Sequence, residues 1–322
     1  MKMETEANAG QSIVTITGEF SPEELGICSA HNHVWIDLVV GAAKECPVLK
    51  DQPAILKELC EYLQSDGDAL AECQPGGYGR NGNKLLELSQ SSGVKMIACN
   101  GFHCARYYPE EYWMWKASAG KITNYFVNEI RESLAEARAL GKPVQVGFIK
   151  IACKARLSQT PQTVLEAAAD AVAETGSAIE VHTEKGVEAE KIIVYLNHHK
   201  VPSGRIVLCH MDKRPDFTFH CELAQSGILL EYDTLYRPKY DPEHKLWPLI
   251  EKMSKEGYCE YVALATHMAE PTLWRYQGGV PGLAGFPGNI WARRRQMGLE
   301  EKCINSLIEK NITRRLARFL PN

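Results

Sequence analysis

Residues 69–73 read ALAEC, a short apolar run that closes on an acid and a thiol. Taken as a strand it is the second of eight; without it the count falls to seven and a closed barrel loses its support. The other seven are GICSAH (26–31), KMIACNG (95–101), VQVGFIKIA (144–152), AIEVH (178–182), RIVLCH (205–210), GILLEYD (227–233) and YVALATH (261–267). Helical patterns alternate with them, among them VNEIRESLAEARALG (127–141), TPQTVLEAAADAVAETG (160–176), VEAEKIIVYLNHH (187–199) and HKLWPLIEKMSKEG (244–257). Several of these end in glycine just before the next strand, as a helix C-terminus does. Strands apolar throughout and alternating with helices imply a parallel sheet covered on both faces. Eight such units in 322 residues favour one closed (β/α)8 barrel spanning 1–322, a TIM barrel, over an open sheet. IVTITGEFSPEELG (13–26) alternates and turns like an N-terminal β-hairpin, and EEKCINSLIEKNITRRLARFL (300–320) reads as a C-terminal helical extension.

Composition narrows the class. The chain is 45% hydrophobic and 24% charged, as folded water-soluble proteins are. Its 36 basic and 40 acidic residues give a formal charge of −4 and no basic stripe, so nothing points to nucleic acid or an anionic membrane. The eleven cysteines are scattered with no CxxC pair, and Cys99, Cys153 and Cys209 sit inside apolar runs, where a free thiol acts as a small hydrophobe. The polar start MKMETEANAG lacks the apolar stretch of a signal peptide, and no apolar run reaches the roughly 18 residues of a membrane span. The expectation is a reduced cytoplasmic enzyme.

Barrel enzymes carry their chemistry at the carboxyl ends of the strands. Here those ends hold His31 and His33, Lys150, His182, His210 and His267, five of the ten histidines among them. Alternation along a strand turns His31 and His33 the same way, so one ion could meet both. Zinc and related metals take imidazole nitrogen and leave a position open for water in catalytic sites. A single barrel histidine is more often a hydrogen-bonded core residue, but a convergent set favours metal. Lys150 cannot ligate as an ammonium; it either loses a proton, is carboxylated, or pairs with a buried acid such as Glu72, Glu180 or Glu231.

With TGEFSPEELGICSAHNH (17–33), YGR (78–80), VGFIKIA (146–152), VHTE (181–184), CHMD (209–212), LATHMAE (264–270) and NITRRLARF (311–319) together, the chain resembles the phosphotriesterase family of the amidohydrolase superfamily, its phosphotriesterase-like lactonases included. The resemblance implies a distorted barrel with two divalent ions, zinc first and manganese or cobalt as alternatives. His31 and His33 would hold one ion, His182 and His210 the other, with Lys150 as a bridging carbamate beside a bridging hydroxide. It also implies a homodimer. The family closes its eighth strand with an aspartate that ligates and accepts the proton of the attacking hydroxide; here that position is His267. A neutral imidazole brings no negative charge, and bound through one nitrogen it has no lone pair left for the proton. A variant natural site, a weakened or inactive enzyme, and a single substitution in an ordinary member all stay open.

The cations after the strands suit a small anionic substrate: Lys213 and Arg214, Arg237 and Lys239, Arg275, Arg80 and Arg106, with Lys213, Lys239 and Arg275 preferred. Tyr78 and Arg80 stand in the matching YGR, while Asp212 and Asp233 are candidates to orient His210 or carry protons. The expected reaction is hydrolysis of a carboxylated or phosphorylated sugar lactone. Phosphoester hydrolysis on the same site and a non-catalytic binding role are the alternatives.

Overall fold

The computed structural model describes residues 11–141 and 143–319; the polar start at 1–10 lies outside them. A hairpin of β1 (Gln11–Thr15) and β2 (Gly18–Phe20) leads into eight parallel strands: β3 (Ile27–Asn32), β4 (Gly67–Glu72), β5 (Lys95–Gly101), β6 (Phe148–Ala152), β7 (Ala178–His182), β8 (Ile206–Cys209), β9 (Leu229–Tyr232) and β10 (Val262–Leu264). They pair in chain order, and helices run between them. This is the expected (β/α)8 barrel, and the doubtful second strand is real. It pairs with β3 on one side and β5 on the other.

The alternation of each strand separates two cores. Leu70, Met96, Ile149, Ile179, Leu208, Leu230 and Leu264 face outward and pack under the helices. Ala69, Ala71, Ile97, Phe148, Val207, Leu229 and Ala263 fill the barrel itself. Alanines in β4 and β10 leave room for Phe148, which is why the second strand looks weak by β-propensity and still belongs.

Closure between β10 and β3 is irregular. The ladder there reduces to the Asn32–Met268 bridge, His267 N donating to His31 O at 3.0 Å, and Thr266 Oγ1 donating to Asn32 Oδ1 at 2.6 Å. The barrel is therefore distorted at the seam that carries two of the candidate ligands. Gly101, at the end of β5 with φ 106°, has a second constraint: a Cβ there would lie 1.8 Å from the Lys150 carbonyl oxygen.

Three expectations change. The helical pattern over 127–141 is cut: the helix spans Ala119–Arg131 and a separate 3₁₀ stretch covers Ala135–Leu140. The C-terminal helix is broken by a π-turn at Ser306–Lys310, and its end leaves as a strand, β11 (Arg318–Phe319), which pairs antiparallel with β1. Finally, Cys259 and Cys303, 44 positions apart in sequence, form a disulfide, against the expectation that all cysteines are thiols. No spacing motif announced it, because the partners meet only when the C-terminal helices fold back onto the loop before β10. No helix among the described residues is long and apolar enough to cross a membrane.

Candidate active site

His31 is the last residue but one of β3, His33 lies one residue past that strand, and His182 ends β7. His210 and His267 stand just beyond their strands in left-handed conformations, at φ 66° and 49°. A non-glycine residue there costs of order 1–3 kcal/mol and persists only when its surroundings fix it. For His267 the fixing bonds are visible: its N–H donates to His31 O, and its carbonyl accepts from Ala269 N at 2.7 Å and Arg237 Nη2 at 2.9 Å.

The rings converge. Centroids lie 4.7 Å apart for His31 and His267, 4.9 Å for His210 and His267, and 4.5 Å for His182 and His210. His31, His210 and His267 each offer a nitrogen within 4.8 Å of the others, a set that could hold a metal ion. Three of the rings are held at Nδ1 by an acid or amide oxygen. His31 Nδ1 lies 3.0 Å from Glu231 Oε1, His33 Nδ1 2.6 Å from Gln74 Oε1, and His210 Nδ1 2.5 Å from Asp233 Oδ2. His267 Nδ1 is 2.7 Å from the same Asp233 oxygen, close enough for an ion pair but outside hydrogen-bond alignment. His182 Nδ1 meets His210 Nε2 at 2.7 Å. A histidine anchored at Nδ1 presents Nε2 as a ligand, the usual arrangement around bound metals.

Burial sets the charges. It holds His31, His33 and His210 well below the usual histidine range, with Lys150 or neighbouring imidazoles adding to the effect for each. It brings His267 down to about 4 against the opposing pull of Asp233. Neutral imidazoles are the ligating form. Burial alone would raise Asp233, yet His210, Lys213 and His267 keep it well below the usual carboxylate range. The negative charge missing at 267 is thus present one strand away, on the fully buried Asp233. Asp212 acts further back: its Oδ2 accepts from Asp233 N, Thr234 N and Thr234 Oγ1 at 3.1, 2.8 and 2.6 Å and so fixes the loop that aims Asp233.

Beneath the rings lies a charged floor. Lys150 Nζ, fully buried, donates to Glu180 Oε1 at 2.9 Å and stands 3.0 Å from His31 Nε2. Burial opposes its charge, but Cys73, Glu180, Cys209 and Glu231 around it hold it above the usual lysine range. Of the three candidate acids, Glu180 is the partner; Glu72 instead accepts from Val34 N at 2.6 Å.

Above the rings opens a cavity of about 360 Å³. Tyr78, Lys213 and Lys239 line it, as the sequence suggested. Lys213 is partly committed, 3.2 Å from Asp233 Oδ1, whereas Lys239 and the cavity-lining Arg106 have no acid partner among the described residues. Arg237 also lines the wall, tied to Glu270 at 3.1 Å. Two expected contributors are elsewhere. Arg80 is buried in ion pairs with Glu129 and Glu136 at 2.6 and 2.8 Å, and Arg275 is turned outward, 62% exposed and 3.5 Å from Glu61. A loop arginine after a strand could as well brace a helix, and spacing does not tell the two apart. His103 was missed: it lines the cavity two residues past β5, on the loop that follows the strand.

Parallel barrel, convergent imidazoles and buried carboxylates at the strand ends together make a site that could hold a metal ion. The phosphotriesterase family pattern matches residues 11–316, and the chain belongs to that family. Among its relatives, a phospho-furanose lactonase of Mycoplasmopsis agalactiae is 27% identical over 72% of this chain and 69% of its own. The human N-acetyltaurine hydrolase is 26% identical over 87% and 82%. In structure, a lactonase from Listeria monocytogenes superposes with a TM-score of 0.86 at 22% identity, covering 96% of this chain and all of that one.

Proposed function

We propose that the chain hydrolyses a small anionic lactone at a metal centre built on His31, His33, His182, His210 and His267. The observation that carries this reading is that His33, His182, His210 and His267 line one cavity, His33 and His210 anchored at Nδ1, with cations that have no acid partner among the described residues at its rim. The donor set suits zinc, with manganese or cobalt as substitutes. When bound, two divalent ions would acidify a water and polarise the carbonyl.

The protein's own residues do the rest. Asp233 holds His210 at Nδ1, in the tautomer whose Nε2 can ligate, and faces His267 at ion-pair distance. In this role His267 is a holder, not a base, since its second nitrogen faces Asp233. Lys239, Arg106 and Lys213 would bind the substrate's carboxylate or phosphate, and Tyr78 and Tyr107, stacked at 4.3 Å, form the flat wall beside a sugar ring. As an ammonium Lys150 neutralises Glu180; as a carbamate it would offer the ions an anionic oxygen. Metal uptake that depends on bicarbonate marks the carbamate. The relative named phospho-furanose lactonase supports the anionic sugar lactone as substrate class. The test is a panel of carboxylated and phosphorylated sugar lactones against aryl phosphates, read by acid release. Turnover of an anionic lactone above all aryl phosphates is expected, and the reverse order would replace this reading with phosphoester hydrolysis.

A further inference from the structure

His103 is held more tightly than a wall residue needs. Its backbone N–H donates to the Tyr108 hydroxyl at 2.9 Å, and its Nδ1 accepts from Cys104 N at 2.8 Å. Its ring lies edge-on to Tyr107 at 4.6 Å and to Tyr78 at 5.5 Å, and 5.1 Å from the His182 ring. The residue is 8% exposed and lines the cavity. An imidazole nitrogen that accepts from a backbone N–H carries no proton, so in the neutral ring the proton is on Nε2. A protonated Nε2 cannot ligate a metal. It can only donate, and among the described residues Nε2 is the one polar atom of this side chain without a partner.

Resting on the lactonase reading above, we propose that His103 is a further catalytic residue: a fixed-tautomer hydrogen-bond donor to the oxygen that becomes negative as the lactone opens. The water oxygen adds to the carbonyl carbon, the ring C–O bond breaks, one water proton ends on the released hydroxyl and the other in solvent. His103 keeps its own proton throughout. The role needs a neutral ring, and the bond that Nδ1 accepts from Cys104 N requires one, since an imidazolium has no acceptor nitrogen. A neutral imidazole used in this way stabilises the oxygen more as charge develops on it than in the ground state.

Two variants and one spectrum test this. His103→Phe keeps a flat ring against Tyr78 and Tyr107 and removes the donor; His103→Gln restores an N–H. For the substrate the wild-type protein turns over fastest, kcat should fall about 100-fold in the phenylalanine variant with KM within a few-fold. The glutamine variant should recover at least part of that loss, and metal content should match wild type in both. A kcat within twofold of wild type for His103→Phe overturns the proposal. So does a loss of metal, which would make His103 a ligand. Imidazole ¹⁵N shifts of the resting protein test the tautomer without any substrate: an Nε2–H signal is expected, and an Nδ1–H tautomer or a shift of Nε2 on adding zinc overturns it. If no lactone is turned over, the function reading fails, and the kinetic comparison moves to whichever ester is hydrolysed while the spectrum stands unchanged.

Discussion

Asp233 does at one position what two groups would otherwise do. It anchors His210 and faces His267, so the charge that an aspartate at 267 would carry sits behind the imidazole. Asp233→Asn should therefore weaken metal binding by about 10–100-fold, measured by competition with a chelator, while leaving the fold intact. Unchanged affinity would show that His267 and His210 need no anchor. Arg80 provides the opposite case. With its side chain and that of Glu129 fully buried, Arg80→Ala leaves a charge unpaired and should cost about 3–5 kcal/mol in urea unfolding with KM unaltered. A stable variant with raised KM would return Arg80 to the substrate.

At the level of elements, the eight strands were legible because a buried parallel strand is an uninterrupted apolar run, and even ALAEC obeyed that rule. The convergent histidines were legible because a strand's end is fixed by where its apolar run stops. What was not legible depended on contacts distant in sequence: the Asp233–His267 approach, the Arg80 cluster and the Cys259–Cys303 bond each join elements that no local pattern relates. His103 was hidden differently, since its strand ends on Gly101 and the histidine follows on a loop. The disulfide ties the start of β10 to the C-terminal helices, which cover the amino ends of the barrel strands. Cys303→Ser should lower stability by about 2–4 kcal/mol relative to the oxidised protein, and reductant should lower the wild type to match. Titration of eleven free thiols in native protein would contradict the bond.

The whole molecule stores its buried histidines neutral, and this sets its response to acid. In chelator-treated protein His267 has a folded pKa of about 4 against an ordinary value near 6.5. Its folded value is depressed, so between pH 6.5 and 4 the unfolded chain binds the extra proton and stability falls as pH falls. From pH 7.5 to 5 this one group should remove about 2 kcal/mol, and His31, His33 and His210 act in the same direction. The unfolding midpoint in urea at the two pH values measures it; an acid-insensitive midpoint would mean these rings are charged or exposed.

The most direct test of a histidine-built metal centre is metal content per chain by elemental analysis, on protein expressed with zinc or manganese and bicarbonate. About two ions per chain are predicted, falling in His267→Ala, with chelation abolishing turnover and added metal restoring it. A protein that binds no metal at saturating zinc, or keeps full content and full activity in His267→Ala, would contradict the account.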